Sequence, residues 1–596
     1  MNTSPSAARP WLLFLAVVAF AASQTFAAPI EAQDALVVRD GVLETKAGKR
    51  VGLYGVNIFQ SHMHWARRQD PEAYRTELAH IAASGFNAVR MPLNMSFFMP
   101  AQGVLPDDPR YAETLEAHKL PAGAMAFYDG LVAEAARLGL YVIPEFHELP
   151  TDPYRWFAGG VEQDRGTGKP GTAVAWMAKA DAQSKHHPDL DLAQTEVPKT
   201  LAFLARHWRG VPNIVGIEVP WNEPIGDITQ PGPFAAIVKA CADAVKAADP
   251  DRLVLLCTVD WGAMVNYMPD ESVWKIPDNV DILFPHFYPG MHSGNSGETG
   301  TWSTSMASWA SWLAGAGRPV MVGEYGTVEM HRAGYWKGER SEAQKAATYA
   351  ASVAQWQAQG VQGVFAWAWQ GGVDRDEATG RLKDGAHVLP LWSEAFPAMK
   401  NEPLPKARLA IVCAPSMRAA YGSRQDLWRI ADALLDAQLT PFATVFDSQM
   451  KAQSGVLARY EDVWVITNAL AEGVLEQVRA SGRRVREFDR KLDGLDDAVA
   501  ALRPPRPSRL PANVLAAVGD TSVALFERKG KGGTVRLHAL PAMAKGQGRL
   551  VADDGREIAA GSADAMRSEG YAIPLAPWSA TRLNWAPDAA ASRQPD

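Results

Sequence analysis

The sequence predicts a (β/α)8 barrel followed by a small α/β unit and a C-terminal β-sandwich. Within residues 51–370, eight short apolar runs rich in β-formers alternate with helical patterns. Such alternation is typical of parallel strands joined by crossover helices, and eight repeats are the number that closes a barrel. A doubly wound sheet is the alternative, but the strand number and the lack of a glycine-rich phosphate loop disfavour it.

The strand and helix patterns alternate along the barrel. The predicted strands are Val51–Asn57, Asn87–Pro92, Tyr141–His147, Ile214–Asn222, Arg252–Val259, Asp281–Phe287, Pro319–Glu324 and Gln362–Trp369. The predicted helices are Pro71–Ser84, Ala124–Leu138, Val197–Trp208, Pro233–Ala248, Trp302–Ala316 and Glu342–Gln359. Gly85, Gly139 and Gly360 each follow a helix, where a left-handed C-cap is expected. Two insertions, 148–196 and 288–301, follow strands and should shape the catalytic face.

Two further units follow the barrel domain, which we assign to residues 28–400. Strand and helix patterns over 405–500 predict a small flavodoxin-like or Rossmann-like domain, and the lack of GxGxxG argues against a dinucleotide. A proline-rich linker precedes short strands and turns over 508–586, which predict a β-sandwich. Residues 587–596 are expected to form a disordered tail.

The N-terminus has the layout of a secretory signal peptide. Arg9 precedes an apolar run from Trp11 to Ala22, and small residues follow up to Ala27. We therefore expect residues 1–27 to be removed by cleavage near Ala27, and the mature chain to be secreted or periplasmic without a stable membrane span. An uncleaved anchor is the alternative.

The composition narrows the possible functions. Hydrophobic residues make up 47% and charged residues 21% of the chain, which is typical of a globular protein. The net charge of −7 argues against nucleic acid as a partner. The three cysteines provide neither a disulfide framework nor a CxxC metal cluster. No metal is expected, because the histidines have no carboxylate or cysteine at ligand spacing, and no other cofactor is expected. The 20 tryptophans offer flat faces that can stack on sugar rings.

Two motifs carry the catalytic prediction. Trp221-Asn222-Glu223-Pro224 ends the fourth predicted barrel strand, and Gly323-Glu324-Tyr325-Gly326 ends the seventh. The carboxyl ends of barrel strands face the active site, so the two glutamates should converge across its mouth. Glycoside hydrolysis requires such a carboxyl pair.

With these motifs the barrel resembles clan A retaining glycoside hydrolases, and most closely glycoside hydrolase family 5, the cellulase and mannanase family. The resemblance covers about residues 51–370. It implies that Glu223 is the acid/base and that Glu324 is the nucleophile. An ionised Glu324 nearby would raise the pKa of Glu223 and keep it protonated as an acid.

The resemblance also implies supporting roles for residues at other strand ends. Arg90 would orient the nucleophile, Asn222 would bond a sugar 2-hydroxyl, and Tyr288 would bond the nucleophile. The other matching positions are His147, His286 and Trp367, the last as a sugar platform. The third strand departs from the family pattern, because Glu145 and Glu148 flank His147 where many members have Asp-x-His-Asn. Because of this departure, the sequence does not identify the sugar that the site binds.

Several functions remain compatible with the sequence. The leading hypothesis is a secreted retaining hydrolase of a β-linked glucan, mannan or related carbohydrate. An exo-acting β-glycosidase is the second enzyme hypothesis, because the domain order resembles that of family 42 β-galactosidases, in which the middle domain helps to build oligomers. A third hypothesis is a protein that trims a self-made polymer with the same chemistry. A fourth is a polysaccharide-binding protein on a glycosidase barrel, against which the intact glutamate pair argues.

Overall fold

The fold is that of a computed structural model, which describes most of the barrel strands and much of the C-terminal part. The described residues are 28–58, 71–118, 120–150, 176–177, 188–222, 224, 231–257, 276–287, 317–326, 352–353, 356, 359–369, 407–414, 429–430, 433–434, 442–452, 455–468, 470–489, 491–502, 514–518, 522–527, 531–538, 540–541, 544–552, 555–576 and 580–587.

A parallel, nearly closed barrel of eight strand segments forms the first part of the chain. Its strands are β3 (Leu53–Asn57), β4 (Ala88–Asn94), β5 (Tyr141–Glu148), β6 (Gly216–Val219), β7 (Leu253–Cys257), β8 (Ile282–Phe284) with its continuation β9 (His286–Phe287), β10 (Val320–Tyr325) and β11 (Val361–Ala366). They are hydrogen-bonded in the order β5-β4-β3-β11-β10-β8-β7-β6, with β9 also paired to β10. Their burial on both faces explains their apolar sequences.

Backbone hydrogen bonds between β5 and the segment leading into β6 close the ring. The amide of Val142 donates to Asn213 at 2.7 Å, and the amide of Val215 donates to Val142 at 3.0 Å. Nearer the carboxyl end, the amide of Asn222 donates to Phe146 at 2.8 Å. An eight-stranded, parallel and nearly closed barrel is consistent with the predicted (β/α)8 architecture.

An N-terminal hairpin covers the end of the barrel where the strands begin. It consists of β1 (Leu36–Arg39) and β2 (Val42–Thr45). The Gln362 side chain accepts from the amide of Leu43 and donates to the carbonyl of Gly41, both at 2.7 Å. Leu36 and Leu43 join the apolar residues that fill this end of the barrel. Because apolar side chains fill this end, the polar side chains of the barrel interior lie at the opposite end, where the strands finish.

Three of the described barrel helices match the predicted ones within a few residues, one begins earlier than predicted, and one is not predicted. They are α1 (Pro71–Ala83), α2 (Tyr111–Ala117), α3 (Ala124–Arg137), α4 (Leu190–His207) and α5 (Pro231–Ala248). The sequence patterns do not predict α2. The helix α4 begins before the predicted Val197 because the Asp189 side chain caps it, accepting from the amide of Leu192 at 3.0 Å, and Pro198 lies inside it. The predicted helix Trp302–Ala316 lies outside the described residues, as does most of Glu342–Gln359.

Glycines end the helices as the sequence predicts. Gly85, Gly139 and Gly360 have φ values of 89°, 74° and 87°, in the left-handed region that favours glycine.

The C-terminal part contains a four-stranded parallel sheet and two antiparallel sheets. The parallel sheet has the order β13-β12-β14-β15, and its strands are β12 (Leu409–Cys413), β13 (Phe442–Phe446), β14 (Asp462–Ile466) and β15 (Arg484–Phe488). The helices described around it are α6 (Asp447–Ala452), α7 (Val474–Arg479) and α8 (Leu495–Ala501). These sheets exist where the sequence predicts strands.

The antiparallel sheets pack around one apolar cluster. The larger has the order β16-β17-β22-β19-β20, and the smaller pairs β18 with β21. Their bounds are β16 (Val514–Val518), β17 (Ser522–Glu527), β18 (Gly533–Leu537), β19 (Gln547–Ala552), β20 (Glu557–Ser562), β21 (Tyr571–Leu575) and β22 (Ala580–Pro587), with helix α9 (Ala563–Glu569) after β20. Leu525 and Leu583 of the larger sheet share this cluster with Val535 and Ile573 of the smaller.

Among the described helices, none combines the length and the apolar character needed to cross a membrane. The proposed signal segment 1–27 and the tail 587–596 lie outside the described residues, apart from Pro587 at the end of β22.

Candidate active site

A buried polar layer fills the barrel where its strands end. Around the ring, each strand contributes a polar or aromatic side chain at or near its carboxyl end. In ring order they are Asn57, Arg90, Glu145 with His147, Glu218, Cys257, His286, Glu324 and Trp367. All of them are at most 6% exposed. Because an unpaired buried polar group is costly, this layer must be held together by its own hydrogen bonds and charges.

Arg90 on β4 is the centre of this layer. Its Nε and Nη2 donate to the two carboxylate oxygens of Glu218 at 2.7 and 2.6 Å. Its Nη1 donates to Oε1 of Glu324 at 2.7 Å, and its Nη2 also donates to Oδ1 of Asn222 at 2.8 Å. The planar guanidinium thereby fixes three side chains from the ends of two strands, β6 and β10, in one geometry.

Three glutamates face the single positive charge of Arg90. Burial opposes its charge, but Glu145, Glu218 and Glu324 outweigh that effect and hold the pKa of Arg90 well above its ordinary value. Nη2 of Arg90 also lies 3.6 Å from Oε1 of Glu145. Arg90 is therefore a permanent cation that stabilises the ionised form of the carboxylates facing it.

Glu324 lies in the position that the sequence predicts for a nucleophile. It is 2% exposed and lies near the carboxyl end of β10. The Asn57 side chain links β10 to β11 there, because it donates to the carbonyls of Gly323 and Ala366 at 3.1 and 3.2 Å. A Cβ at Gly323 would come within 2.8 Å of the Phe284 ring. The glycine before the catalytic candidate is therefore required for close packing against β8.

The next residue along β10 anchors the strand on its other face. The Tyr325 hydroxyl shares a 2.8 Å hydrogen bond with Ser352, and its ring packs edge-on against Trp356 with centroids 4.8 Å apart. Because strand side chains alternate, this anchoring of Tyr325 points Glu324 into the barrel.

Asn222 directly precedes the predicted acid/base. Its Oδ1 accepts from Arg90, and because Arg90 can only donate, the amide orientation is settled. Asn222 and Trp221 are both 1% exposed. Glu223 itself lies outside the described residues, as do Tyr288 and the insertion residues around it.

His286 connects Glu324 to a buried thiol. Its Nδ1 lies 3.5 Å from Oε1 of Glu324, and its Nε2 lies 3.9 Å from Sγ of Cys257. Burial, and then the charge of Arg90, hold the pKa of His286 well below its ordinary value, so the ring is neutral near pH 7. A neutral imidazole carries one proton on one of its two nitrogens. In His286 these are Nδ1, which faces the Glu324 carboxylate, and Nε2, which faces the Cys257 sulfur.

His147 and Trp367 stack on one another at the mouth of the layer. Their rings are 5.3 Å apart and inclined by 15°. Nδ1 of His147 lies 2.9 Å from Oε1 of Glu145, so the carboxylate that departs from the family pattern orients this histidine. Trp367 is 5% exposed, and its place beside Glu324 is secured by a 2.9 Å bond from its amide to the carbonyl of Tyr325.

Sequence reasoning missed three members of the layer: Asn57, Glu218 and Cys257. Glu218 stands alone in the apolar run Val215-Gly216-Ile217-Glu218-Val219, and a buried charge in such a run signals a buried partner. Asn57 and Cys257 carry no comparable signal, because their partners lie on strands distant in sequence. Of the tryptophans, Trp369 proves to be a core residue that is 1% exposed and donates to Glu77 at 2.5 Å.

The comparison with protein families decides the assignment. The cellulase model of glycosyl hydrolase family 5 matches residues 45–372, which is more than half of the chain. The chain belongs to glycoside hydrolase family 5. The matched region contains the whole barrel and its polar layer.

Curated relatives of this family 5 member include two endoglucanases. Endoglucanase N of Pectobacterium atrosepticum is 23% identical over 268 residues, which are 45% of this chain and 46% of that protein. Endoglucanase 5 of Pectobacterium carotovorum subsp. carotovorum is 22% identical over 268 residues and is covered to 40%. The chain thus spans about half the length of the curated relatives it matches.

Solved structures share the fold over most of the chain. The exo-β-1,4-mannosidase Op5Man5 from Opitutaceae bacterium strain TAV5 aligns with a TM-score of 0.54 at 15% identity, over 88% of this chain and 86% of that one. The β-galactosidase from Rahnella sp. R3 aligns with a TM-score of 0.55 at 10% identity, over 90% and 98%. At these identities the likeness concerns the fold alone.

Proposed function

We propose that this family 5 enzyme is a secreted, retaining hydrolase of β-glycosidic bonds in a glucan- or mannan-type carbohydrate. The observation that carries the proposal is the shared guanidinium of Arg90. It binds Oε1 of Glu324 at 2.7 Å and Oδ1 of Asn222 at 2.8 Å. It therefore ties the carboxylate of the seventh barrel strand to the segment that bears Glu223.

The proposed first step forms a glycosyl-enzyme. The Glu324 carboxylate attacks the anomeric carbon, and the bond from that carbon to the leaving oxygen breaks while Glu223 gives the leaving oxygen its proton. Arg90 keeps Glu324 ionised for this attack. Because Oδ1 of Asn222 is occupied by Arg90, its Nδ2 is the atom that donates to the sugar 2-hydroxyl, a contact that strengthens in the transition state.

The proposed second step releases the sugar. Glu223, now a carboxylate, takes a proton from water, whose oxygen attacks the anomeric carbon and displaces Glu324. Two displacements at one carbon retain its configuration. In this scheme the stacked pair of His147 and Trp367 provides the sugar platform, and Tyr288 bonds the nucleophile.

Hydrolysis of a panel of β-linked polysaccharides and aryl glycosides tests the proposal. We expect Glu223→Gln and Glu324→Gln to lower kcat by at least about a thousandfold, because each removes an essential group. Glu134→Gln is the matched control, since Glu134 forms a surface ion pair with Arg137 and should leave kcat unchanged. Full activity in Glu324→Gln would contradict the proposal.

An exo-acting β-glycosidase is the second candidate. It is favoured by the fold likeness to the exo-β-1,4-mannosidase and the β-galactosidase, which extends over 88% and 90% of the chain and thus beyond the barrel. Product lengths decide between the two. Release of monosaccharide alone from a long substrate supports exo action, whereas mixed oligosaccharides from the first minutes support endo action.

We also propose the domain division and the export of the chain. The parallel order β13-β12-β14-β15 supports a flavodoxin-like domain over 405–500. The shared apolar cluster of the two antiparallel sheets supports a β-sandwich over 508–586. Export rests on the signal-peptide pattern of residues 1–27, and N-terminal sequencing of the protein recovered from its native host would test it.

A further inference from the structure

Three buried donor atoms meet on the side of His286 that faces away from Glu324. Sγ of Cys257 lies 3.9 Å from Nε2 of His286. One carboxylate oxygen of Glu218 joins them, and the three atoms all lie within 4.8 Å of one another. All three residues are 0% exposed. They come from β6, β7 and β9, the last being the continuation of β8, and β6, β7 and β8 are neighbours in the barrel wall, so the three positions are rigid.

The donor set selects a particular class of cation. Thiolate sulfur, imidazole nitrogen and carboxylate oxygen are the ligands of Zn²⁺, whereas Mg²⁺ and Ca²⁺ require oxygen ligands. Zinc bonds of about 2.3 Å to sulfur and about 2.0–2.1 Å to nitrogen place those two ligand atoms about 3.6 Å apart in a tetrahedral site. The separation of 3.9 Å between Sγ of Cys257 and Nε2 of His286 is within a few tenths of an ångström of that value.

The surroundings of the three residues also match those of metal ligands. A ligating histidine usually directs its other ring nitrogen to a carboxylate, and a ligating carboxylate is itself hydrogen-bonded. Nδ1 of His286 lies 3.5 Å from Oε1 of Glu324, and Arg90 holds both oxygens of Glu218. Each carboxylate oxygen has two lone pairs, so Arg90 leaves one on each oxygen for a metal.

The formal charge of the layer favours a cation. Glu145, Glu218 and Glu324 carry three formal negative charges against the single positive charge of Arg90. A divalent cation would offset the excess negative charge even after the Cys257 thiol has lost its proton.

We propose that Glu218, Cys257 and His286 form a binding site for a divalent cation of the zinc class. Binding breaks the S–H bond of Cys257, releases its proton to solvent and forms a sulfur–metal bond, with no change in oxidation state. The metal takes Nε2 of His286, so the remaining ring proton is fixed on Nδ1, toward Glu324. Within the proposed mechanism, the Glu324 carboxylate is a weaker nucleophile when Nδ1 of His286 donates to it and a dication lies nearby. Metal bound at this site therefore lowers kcat.

Equilibrium dialysis of the chelator-treated full chain against Zn²⁺ tests the site without any substrate. We expect one tightly bound zinc per chain, with an affinity at least about tenfold lower in Cys257→Ser. Cys241→Ser and Cys413→Ser are matched controls, because both thiols are also buried and should leave the affinity unchanged. Mg²⁺ in excess should not displace the zinc.

Co²⁺ in place of Zn²⁺ reports whether the thiolate is a ligand. We expect a thiolate-to-cobalt charge-transfer band in the near ultraviolet for the wild-type chain and both controls, and none for Cys257→Ser. Two results would overturn the site. One is that the wild-type chain does not bind Zn²⁺, and the other is that Cys257→Ser binds Zn²⁺ as tightly as the wild-type chain and the wild-type chain shows no charge-transfer band with Co²⁺. Neither readout needs turnover, so the proposed hydrolysis and the metal site can fail independently.

Discussion

Arg90 and Glu218 form an ion pair that lies entirely inside the barrel. Both side chains are 0% exposed, and two hydrogen bonds of 2.7 and 2.6 Å join them. A buried pair of this kind contributes little net stability as a pair, but removing one partner strands the other charge. Its value to a family 5 enzyme is geometric, because it fixes the guanidinium that holds Glu324.

Glu218→Gln tests this role. We expect a loss of about 3–5 kcal/mol in the free energy of unfolding, together with a fall in kcat, because buried Arg90 loses the negative charge of the carboxylate that accepts two of its hydrogen bonds. Glu487→Gln is the matched control, since Glu487 makes the same two-armed contact with Arg479 at the surface and should cost less than about 1 kcal/mol. Urea unfolding and steady-state kinetics measure both. Equal costs for the two variants would contradict the account.

At the scale of the strand, β10 depends on a close approach to β8. A Cβ at Gly323 would meet the Phe284 ring at 2.8 Å and the His286 ring at 3.0 Å. We expect Gly323→Ala to cost about 1–3 kcal/mol of stability through overpacking and to lower kcat by moving Glu324. Thermal unfolding and kinetics measure the two effects. Addition of Phe284→Leu should recover part of the stability, and no recovery would argue against the clash.

Helices α3 and α4 are joined by Asp129, which gives the fold a pH dependence. Asp129 lies within 2.8 Å of Nε2 of His207 and accepts from the Trp208 indole at 2.9 Å. Partial burial raises the pKa of Asp129, but these hydrogen bonds outweigh it and the net pKa is lowered. The stability that Asp129 contributes is therefore present above its unfolded pKa of about 3.9 and is lost as the pH falls through the lowered value.

Asp129→Asn should accordingly be less stable than the wild-type chain at pH 7, and the difference should shrink below about pH 4. Urea unfolding across this pH range measures it. Asp564→Asn serves as the control, because the Asp564 side chain is 100% exposed and should show no such difference. A gap that grows as the pH falls would contradict the assignment.

The barrel elements could be predicted from sequence because their signals are local. The strand β4 is predicted at Asn87–Pro92 and is found at Ala88–Asn94, since a run that is apolar from Ala88 to Leu93 except for Arg90 marks a strand buried on both faces. The predicted start of α4 is wrong, because Pro198 usually marks a helix start and here lies inside the helix. Propensity alone does not reveal that Asp189 caps the helix further upstream.

The residues of the site also divide into those that a local sequence motif predicts and those that it does not. Arg90, Asn222 and Glu324 could be predicted because they occupy strand ends within recognisable motifs, and the structure brings all three together. Asn57 and Cys257 could not, because their contacts join strands far apart in sequence. Asn57, for instance, bonds carbonyls of Gly323 and Ala366 that only barrel closure brings near it.

At the scale of the whole molecule, the barrel and the four-stranded sheet share a continuous apolar interior. Leu409, Ile411 and Trp464 of that sheet belong to the same cluster of buried side chains as Tyr325 and Trp369 of the barrel. The larger antiparallel sheet contributes Ala524 and Phe526 to this cluster, but most buried residues of the antiparallel sheets form a second cluster that includes Leu525 and Leu583. The parallel sheet is therefore expected to unfold together with the barrel.

A chain truncated after residue 404 tests this coupling. We expect its Tm to be at least about 5 °C lower than that of the full chain, with increased binding of a hydrophobic dye, because apolar side chains lose their cover. Differential scanning calorimetry measures the shift. A chain truncated after residue 507, which keeps the parallel sheet, is the matched control and should stay closer to the full chain. An unchanged Tm after truncation at 404 would show that the barrel is independent.

Trapping of the glycosyl-enzyme is the most direct test of the central claim, that Glu324 is the nucleophile of a retaining hydrolase. The full chain would be incubated with activated 2-deoxy-2-fluoro glycosides of the gluco and manno series, digested with a protease and analysed by mass spectrometry. We expect one sugar per chain, bound to the peptide that contains Glu324, and no label in Glu324→Gln. A label on Glu145 or Glu218, or hydrolysis that inverts the anomeric centre, would contradict it.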